Sequence, residues 1–189
     1  MASLDQALRR LRAFASDVDG CLTDGTVYYQ DDGGEARGFS VLDGLGFRVA
    51  KAAGLRLAWI SGRRSSLVER RAGELEVDLL FQRATDKASA LREFAARFGL
   101  RLSQVAYLGD DLNDLPALRL AGLPMTVPGA PPEVAALARY TTSRLPGQGA
   151  ARDCLELILR AQGKWEAAVD TFLAELPHHQ PPAELPHHQ

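Results

Sequence analysis

Three polar segments of the sequence carry residue types that could do chemistry, and each directly follows an apolar run. Asp17-Val-Asp-Gly20 places two carboxylates two residues apart, so in extended backbone both point to the same side. Ser61 follows the apolar run 55–60, and Gly109-Asp-Asp-Leu-Asn-Asp114 holds three aspartates after another apolar run. Each segment alone is equally typical of a turn or a helix cap. Together, carboxylates clustered at buried strand ends call for a cation, and ligation by oxygen suits Mg²⁺.

Lys87 completes this set, at the start of a predicted helix. A carboxylate that approaches a phosphate dianion meets a repulsion of roughly 8 kcal/mol at about 4 Å in an effective dielectric of about 20. Mg²⁺ and a lysine offset this repulsion, and a hydroxyl such as that of Ser61 can hold a further phosphoryl oxygen. The combination predicts phosphoryl transfer through an aspartyl-phosphate.

The composition argues against several other kinds of function. All four histidines lie within the last twelve residues, so the body of the chain cannot form a Ser-His-Asp triad, a Cys-His dyad or a His-ligated zinc site. The 22 basic and 24 acidic side chains give a net charge of −2, which argues against general nucleic-acid binding. No apolar run is long enough to cross a membrane, and the first residues lack a signal-peptide pattern. We therefore expect a cytoplasmic protein without a membrane partner, in which Cys21 and Cys154 are buried thiols.

The elements that must position these residues alternate along the chain, which predicts an α/β fold with a parallel sheet. Ligands of such sheets bind at the carboxyl ends of the strands, where the three polar segments lie. The predicted strands are 13–16, 55–60, 78–81, 105–108 and 125–127, and the predicted helices are 43–53, 64–75, 87–98, 114–121, 131–138, 150–161 and 164–176. A hairpin is predicted at 26–40, around Asp31-Asp-Gly-Gly34. We expect one domain over 1–176, followed by an extended Pro- and His-rich tail over 177–189.

In order and spacing, the polar segments resemble the motifs of haloacid dehalogenase-type phosphatases. The four motifs are Asp17-Val-Asp-Gly-Cys-Leu-Thr-Asp-Gly25, Ile60-Ser-Gly-Arg63, Lys87 and Gly109-Asp-Asp-Leu-Asn-Asp114. The resemblance covers most of the chain and is strongest to the phosphatases of 3-deoxy-D-manno-octulosonate 8-phosphate (KDO 8-phosphate). It implies a three-layer Rossmann-like core without a cap domain and with a protruding β-hairpin used in oligomerisation.

The resemblance also implies a role for individual residues. Asp17 would be the nucleophile, and Asp19 would be the general acid and then the general base. Ser61 and Lys87 would hold phosphoryl oxygens. The implied Mg²⁺ ligands are Asp17, Asp19 through its backbone carbonyl, and Asp110, with Asp111 and Asp114 supporting them. The implied substrate contacts are Ser40, Val41, Asp43, Gly44, Arg48, Arg63, Arg71 and Lys87, and arginines suit the carboxylate of a sugar acid.

Two positions depart from the family pattern. The family usually has an arginine where this chain has Leu42, and a Gly-Gly-Arg-Gly segment where it has Leu145-Pro-Gly-Gln-Gly149, so that Gln148 stands in place of an arginine. These departures leave the phosphatase chemistry intact and bear on the choice of substrate. KDO 8-phosphate is the expected substrate, and a nonulosonate 9-phosphate or another small sugar phosphate is the alternative.

The cover of the expected site has to come from a short segment. The intervals from Asp19 to Ser61 and from Ser61 to Lys87 are too short to hold a cap domain that would exclude water. The hairpin at 26–40 is the candidate cover, and a two-stranded hairpin needs a packing partner. In the resembled family such hairpins associate into a tetramer, so the expected assembly is a homotetramer.

Two other classes of protein fit the residues less well. A signalling receiver domain also forms an aspartyl-phosphate, but its motifs follow a different order, and it lacks the second aspartate of Asp17-Val-Asp. A regulatory module that has lost its activity is disfavoured because every motif residue is present.

Overall fold

A six-stranded parallel sheet forms the centre of the fold. The computed structural model describes residues 3–176. The strands are β1 (Ala13–Ser16), β2 (Tyr28–Tyr29), β3 (Glu35–Ala36), β4 (Arg56–Ile60), β5 (Leu79–Phe81), β6 (Val105–Leu108), β7 (Leu123–Thr126) and β8 (Tyr140–Thr141). The order in the central sheet is β5-β4-β1-β6-β7-β8, and every neighbouring pair is parallel. This confirms the predicted α/β fold.

Helices cover both faces of the sheet and complete the three layers. They are α1 (Leu4–Arg10), α2 (Val41–Ala52), α3 (Ser66–Glu74), α4 (Lys87–Arg97), α5 (Leu115–Leu120), α6 (Pro132–Leu137), α7 (Ala150–Ala161) and α8 (Trp165–Ala174). Alternate residues of β1 face opposite sides: Phe14 belongs to the core cluster that holds buried residues of α1, α2, α3, α7 and α8, whereas Ala13 and Ala15 belong to the cluster that holds those of α4, α5 and α6. In residues 3–176, no helix combines the length and apolar character needed to cross a bilayer.

Local signals explain where two of the helices begin. Asp86 caps α4, because its carboxylate accepts a hydrogen bond from the Ser89 backbone N–H at 3.0 Å. Helix α2 begins two residues before the predicted start, because Ser40 Oγ accepts from the Leu42 N–H at 3.2 Å and so caps the helix itself. The sequence did not predict α1 or the two-residue strand β8.

The hairpin is present but shorter than predicted. Its ladder holds only two residue pairs, Tyr28 with Ala36 and Tyr29 with Glu35. Both tyrosines are exposed, whereas strands of the central sheet are largely buried. So short a ladder contributes little stability by itself, and the position of the hairpin must depend on side-chain contacts.

The topology brings the three polar segments together. Strand β1 lies between β4 and β6 and pairs with both, so the loops that follow these three strands meet at one edge of the sheet. Those loops begin with Asp17, Ser61 and Gly109. Helix α4 starts at the same edge with Lys87. The predicted convergence at the carboxyl ends of the strands is therefore present.

Candidate active site

The site is built around a buried lysine between two carboxylates. Lys87 Nζ lies 2.7 Å from Asp17 Oδ1 and 2.7 Å from Asp114 Oδ1. Only 2% of the Lys87 side chain and 6% of the Asp17 side chain is exposed. Asp114 Oδ1 also accepts from the Tyr107 hydroxyl at 2.6 Å. These contacts fix the position of the ammonium group. A donor that is fixed in advance is suited to bind a phosphoryl oxygen.

Asp114 fixes the loop that carries Asp110. Its Oδ2 accepts from the backbone N–H groups of Asp110 at 3.1 Å and Asp111 at 3.3 Å. Asp114 is fully buried, whereas Asp111 is exposed and caps the short helical turn Leu112–Asp114. Every lone-pair direction of the Asp114 carboxylate is therefore used to hold other residues of the site, and none is left for a ligand.

Asp110 reaches Asp17 across a position that only glycine can occupy. A Cβ on Gly20 would overlap the Asp110 carboxylate, and Gly20 also has a φ of +96°. Oxygens of Asp17 and Asp110, together with Cys21 Sγ, lie within 4.8 Å of one another. Burial raises the pKa of the Cys21 thiol, so it stays protonated and donates to Asp110 Oδ1 at 3.7 Å. The carboxylate oxygens remain as the metal donors, which fits Mg²⁺.

The site has an excess of negative charge that a divalent cation could neutralise. Burial, and next the charge of Asp114, raise the pKa of Asp17 well above its usual range, although Lys87 opposes the rise. Burial also raises the pKa of Asp110 to about 6. Burial lowers the pKa of Lys87, but Asp17 and Asp114 outweigh it, and the net shift is upward. Three carboxylates thus face one ammonium, and a divalent cation would neutralise the excess of two negative charges.

Asp19 is the more exposed aspartate of the Asp17-Val-Asp segment, and it lies next to the buried Ser61. Asp19 Oδ2 accepts from Ser61 Oγ at 3.5 Å, and Ser61 Oγ itself accepts from the Arg63 N–H at 3.1 Å. Asp19 Oδ1 is bound by Arg37 Nη1 at 2.5 Å. The two oxygens of Asp19 therefore have different partners, and Oδ2 is the one on the side of Ser61.

The predicted substrate contacts fall into separate groups. Arg63 lies beside Ser61 and donates to the Tyr29 hydroxyl of the hairpin at 3.1 Å. Ser40 caps α2, and Val41 next to it is 78% exposed. Arg48 lies elsewhere, with its guanidinium carbon 5.5 Å from the centre of the Phe172 ring, in a groove lined by the ends of α2 and α3 and by Glu175 after α8, and by none of the site aspartates.

Asp43, Gly44 and Arg71 serve the packing of α2. The buried Asp43 accepts from the Arg152 N–H at 2.7 Å, at the start of α7. Arg71 packs across Gly44, where a Cβ would lie 2.5 Å from its Nη2, and donates to Glu74 at 3.1 Å. Their predicted contacts with substrate, like that of Arg48, stay predictions.

An arginine lies next to the positions that depart from the family pattern. A Cβ on Gly149 would lie 3.0 Å from Arg144 Cδ and 3.4 Å from Leu42 Cδ1, so both side chains lie close to Gly149, just before α7. Arg144 is exposed and forms no ion pair within residues 3–176. A guanidinium is thus available near Leu42 although position 42 does not supply it.

Two residues of the site lie outside the four motifs, and the sequence did not predict them. Arg37 comes from the hairpin, outside all four segments. Tyr107 is part of the apolar run of β6, and its hydroxyl bonds to Asp114. A phenol within a fully buried strand, two residues before an acidic segment, is the one clue that the sequence offers for Tyr107.

Known proteins share this fold and these segments. A family model for haloacid dehalogenase-like hydrolases matches residues 71–152. A 3-deoxy-D-manno-octulosonate 8-phosphate phosphatase of Yersinia pestis is 39% identical over 163 residues, which cover 86% of this chain and 87% of the relative. The Moraxella catarrhalis phosphatase of the same name, solved with magnesium, phosphate and KDO, has a TM-score of 0.85 at 42% identity, covering 89% of this chain and 97% of that one. The cobalt-bound Haemophilus influenzae phosphatase has a TM-score of 0.84 at 35% identity, covering 89% and 99%. The chain therefore belongs to the haloacid dehalogenase superfamily and, within it, to the family of KDO 8-phosphate phosphatases.

Proposed function

We propose that this chain is a Mg²⁺-dependent phosphomonoesterase that hydrolyses KDO 8-phosphate to KDO and phosphate through an aspartyl-phosphate on Asp17. One observation carries the proposal: the buried Asp17 carboxylate lies 2.7 Å from Lys87 Nζ and close to Asp110, with Asp19 two residues further along the chain. That arrangement places a nucleophile, a cation site and an acid–base group together at the carboxyl ends of β1 and β6. The names of the similar proteins support the choice of substrate.

In the first half-reaction Asp17 is the nucleophile. One of its oxygens forms a bond to phosphorus while the bond from phosphorus to the sugar oxygen breaks, and the leaving oxygen takes a proton from Asp19. Lys87 and Ser61 hold oxygens of the phosphoryl group, and Lys87 also keeps Asp17 in place through their ion pair. The product of this step is the aspartyl-phosphate and free sugar acid.

In the second half-reaction Asp19 acts as the base. It takes a proton from water, the water oxygen bonds to phosphorus, and the bond between phosphorus and Asp17 breaks. Asp19 serves both steps because its side chain is at the open side of the site, 21% exposed, where water and the leaving group can reach it. Phosphate then leaves, and Asp17 is free again.

Asp17, Asp110 and the backbone carbonyl of Asp19 are the groups that would hold Mg²⁺. When bound, the ion supplies positive charge that lets a phosphate dianion approach the Asp17 carboxylate. The chain's own contribution is to exclude water from Asp17 and to fix Asp110 through the bonds from its loop to Asp114. We assign Asp111 and Asp114 a supporting role for this reason.

Arg63 is the proposed contact for the carboxylate of the sugar acid. Arg63 is next to Ser61, and its guanidinium can meet a carboxylate with two parallel hydrogen bonds. The remaining proposed contacts are Ser40, Val41, Asp43, Gly44, Arg48, Arg71 and Lys87.

The surface of the hairpin and of α2 supports a homotetramer. Apolar side chains are exposed together along these elements, among them Tyr29 at 75% and Val41 at 78%, and also Tyr28, Leu42 and Leu45. Apolar surface of this kind is typical of an interface. We propose that residues 1–176 form one domain of a cytoplasmic homotetramer. A monomeric mass by light scattering at micromolar concentration would contradict the assembly.

The test is phosphate release by the purified chain, with Mg²⁺ or with EDTA. The substrates are KDO 8-phosphate, a nonulosonate 9-phosphate, hexose phosphates and an aryl phosphate. We expect kcat/KM for KDO 8-phosphate to exceed the others by about a hundredfold, or about 2.7 kcal/mol, and EDTA to abolish turnover. Equal activity on all substrates would support the phosphatase chemistry and contradict the assignment of KDO 8-phosphate as the substrate. A preference for the nonulosonate 9-phosphate would favour the alternative substrate, and inactivity on every substrate would contradict the proposal that the chain is a phosphatase.

A further inference from the structure

The hairpin delivers a buried arginine to the active site. Arg37 follows β3 directly, its side chain is 0% exposed, and its Nη1 binds Asp19 Oδ1 at 2.5 Å. Its Nη2 lies 3.5 Å from Glu35 Oε1, which is an ion pair at long range. Among the described residues, the buried Nε and Nη2 atoms have no hydrogen-bond partner.

Unused donors on a buried guanidinium need an explanation. Burying a polar group without a hydrogen bond costs free energy, and the cost is larger for a charged group. Arginine has five N–H donors in a planar fork that matches an oxyanion, and here only one nitrogen is engaged at hydrogen-bond distance. A buried, charged guanidinium with unused donors beside Asp19 has the donor geometry that an oxyanion requires.

The hairpin is attached so that Arg37 stays in place. Glu35 accepts from Ser65 Oγ at 2.6 Å, and Tyr29 accepts from Arg63 at 3.1 Å. The hydrogen bond from Ser65, more than any other cause, lowers the pKa of Glu35, so this residue remains an anion. With a ladder of two pairs, these contacts and the pair of Arg37 with Asp19 are what hold the hairpin over the site.

We infer that Arg37 bridges Asp19 and the substrate: Nη1 orients the Asp19 carboxyl group, and Nε and Nη2 bind an oxyanion of the substrate next to the leaving oxygen. With Oδ1 engaged by Arg37, Asp19 presents Oδ2 toward Ser61, and Oδ2 is the atom that transfers the proton. This inference rests on the proposed function, because it assigns Asp19 the acid–base role. The oxyanion is either a phosphoryl oxygen or the carboxylate of the sugar acid.

The test compares Arg37→Ala and Arg37→Lys with Arg97→Ala, a matched control at an exposed arginine at the end of α4. Turnover of KDO 8-phosphate and of an aryl phosphate is measured with each protein, and thermal unfolding verifies the fold. We expect Arg37→Ala to lower kcat/KM for KDO 8-phosphate by about a hundredfold, Arg37→Lys to lose less, and Arg97→Ala to match the wild type. Because the loss of Asp19 orientation lowers turnover of both substrates, the comparison between them is decisive: equal losses identify the phosphoryl group as the oxyanion, and a larger loss on KDO 8-phosphate identifies the carboxylate.

Chemical rescue separates this role from a structural one. Added methylguanidinium should restore turnover by Arg37→Ala in a saturable manner and should leave Arg97→Ala unchanged. Turnover by Arg37→Ala within twofold of the wild type on both substrates, or a loss that neither methylguanidinium nor lysine reduces, would overturn the inference. A wild-type chain that is inactive on every substrate would instead overturn the proposed function.

Discussion

Asp114 offers the sharpest test of how the site is held together. Its buried carboxylate accepts four hydrogen bonds, from Lys87 Nζ at 2.7 Å, from the Tyr107 hydroxyl at 2.6 Å, and from the backbone N–H groups of Asp110 and Asp111 at 3.1 and 3.3 Å. Asp114→Asn keeps the shape of the side chain and replaces one acceptor oxygen by an NH₂ group. Whichever way the amide points, it sets donors against donors.

The magnitude follows from which partners are left. If the amide oxygen keeps the hydrogen bonds from Lys87 and Tyr107, the NH₂ group faces the two backbone N–H groups from which Oδ2 of Asp114 accepts hydrogen bonds in the wild type. Each buried donor left without an acceptor costs about 1–3 kcal/mol. If the amide turns, the NH₂ faces the Lys87 ammonium, and the loss of a buried charge partner costs about 3–5 kcal/mol. Relief of the repulsion between Asp114 and Asp17 offsets part of either cost. We expect a net loss of about 3 kcal/mol in the free energy of unfolding.

Urea unfolding in EDTA measures this loss without a contribution from metal binding. Asp111→Asn is the matched control, because Asp111 is exposed and caps a turn through the Leu112 N–H, which asparagine can do equally well. The free energy of unfolding of this control should lie within about 0.5 kcal/mol of the wild-type value. A loss below about 1 kcal/mol for Asp114→Asn would refute the view that this carboxylate holds the loop and the lysine together.

Three further outcomes are expected. Burial raises the pKa of Asp43 to about 6, so its contribution to the free energy of unfolding falls as pH rises from about 4 to about 6. In urea unfolding, the free energy of unfolding of Asp43→Asn should therefore exceed that of the wild type by about 2 kcal/mol at pH 8 and equal it at pH 4. Gly20→Ala should weaken Mg²⁺ binding by calorimetry at least about tenfold, because its Cβ would overlap Asp110; unchanged affinity would contradict this geometry. Arg144→Ala should raise KM for KDO 8-phosphate about tenfold and leave KM for an aryl phosphate unchanged; an equal rise for both would mean that Arg144 does not meet the sugar acid.

The parts of the fold that depend on local patterns could be predicted. The bounds of β1, β6 and α7 match the prediction, because each is a compact apolar run or an amphipathic stretch between clear stop signals. The parallel sheet then follows, and with it the meeting of Asp17 and Lys87. The strand β8 could not be predicted, since two residues carry no periodicity.

The remaining parts of the site depend on long-range packing. Arg37 reaches Asp19 only because the hairpin folds back over the site, and its sequence neighbours resemble any turn-rich surface segment. In the sequence, Tyr107 is indistinguishable from the other apolar residues of β6. Only the structure shows that its hydroxyl donates a hydrogen bond to Asp114. Arg144 and Leu42 likewise both lie close to Gly149 although one is in a loop and the other at the start of α2, so the consequence of losing an arginine at position 42 could not be judged from the sequence.

The central claim is that Asp17 is the nucleophile, and a trapped phosphoenzyme tests it most directly. Asp19→Asn is mixed with KDO 8-phosphate and Mg²⁺ and quenched in acid, and the peptide that contains residue 17 is analysed by mass spectrometry. Asp17→Asn and the exposed control Asp170→Asn are treated in parallel, and their steady-state turnover is measured. The account predicts a phosphoryl group on Asp17 in Asp19→Asn, full turnover by Asp170→Asn and none by Asp17→Asn. A phosphoryl group on another residue, or more than about a tenth of wild-type kcat in Asp17→Asn, would contradict it.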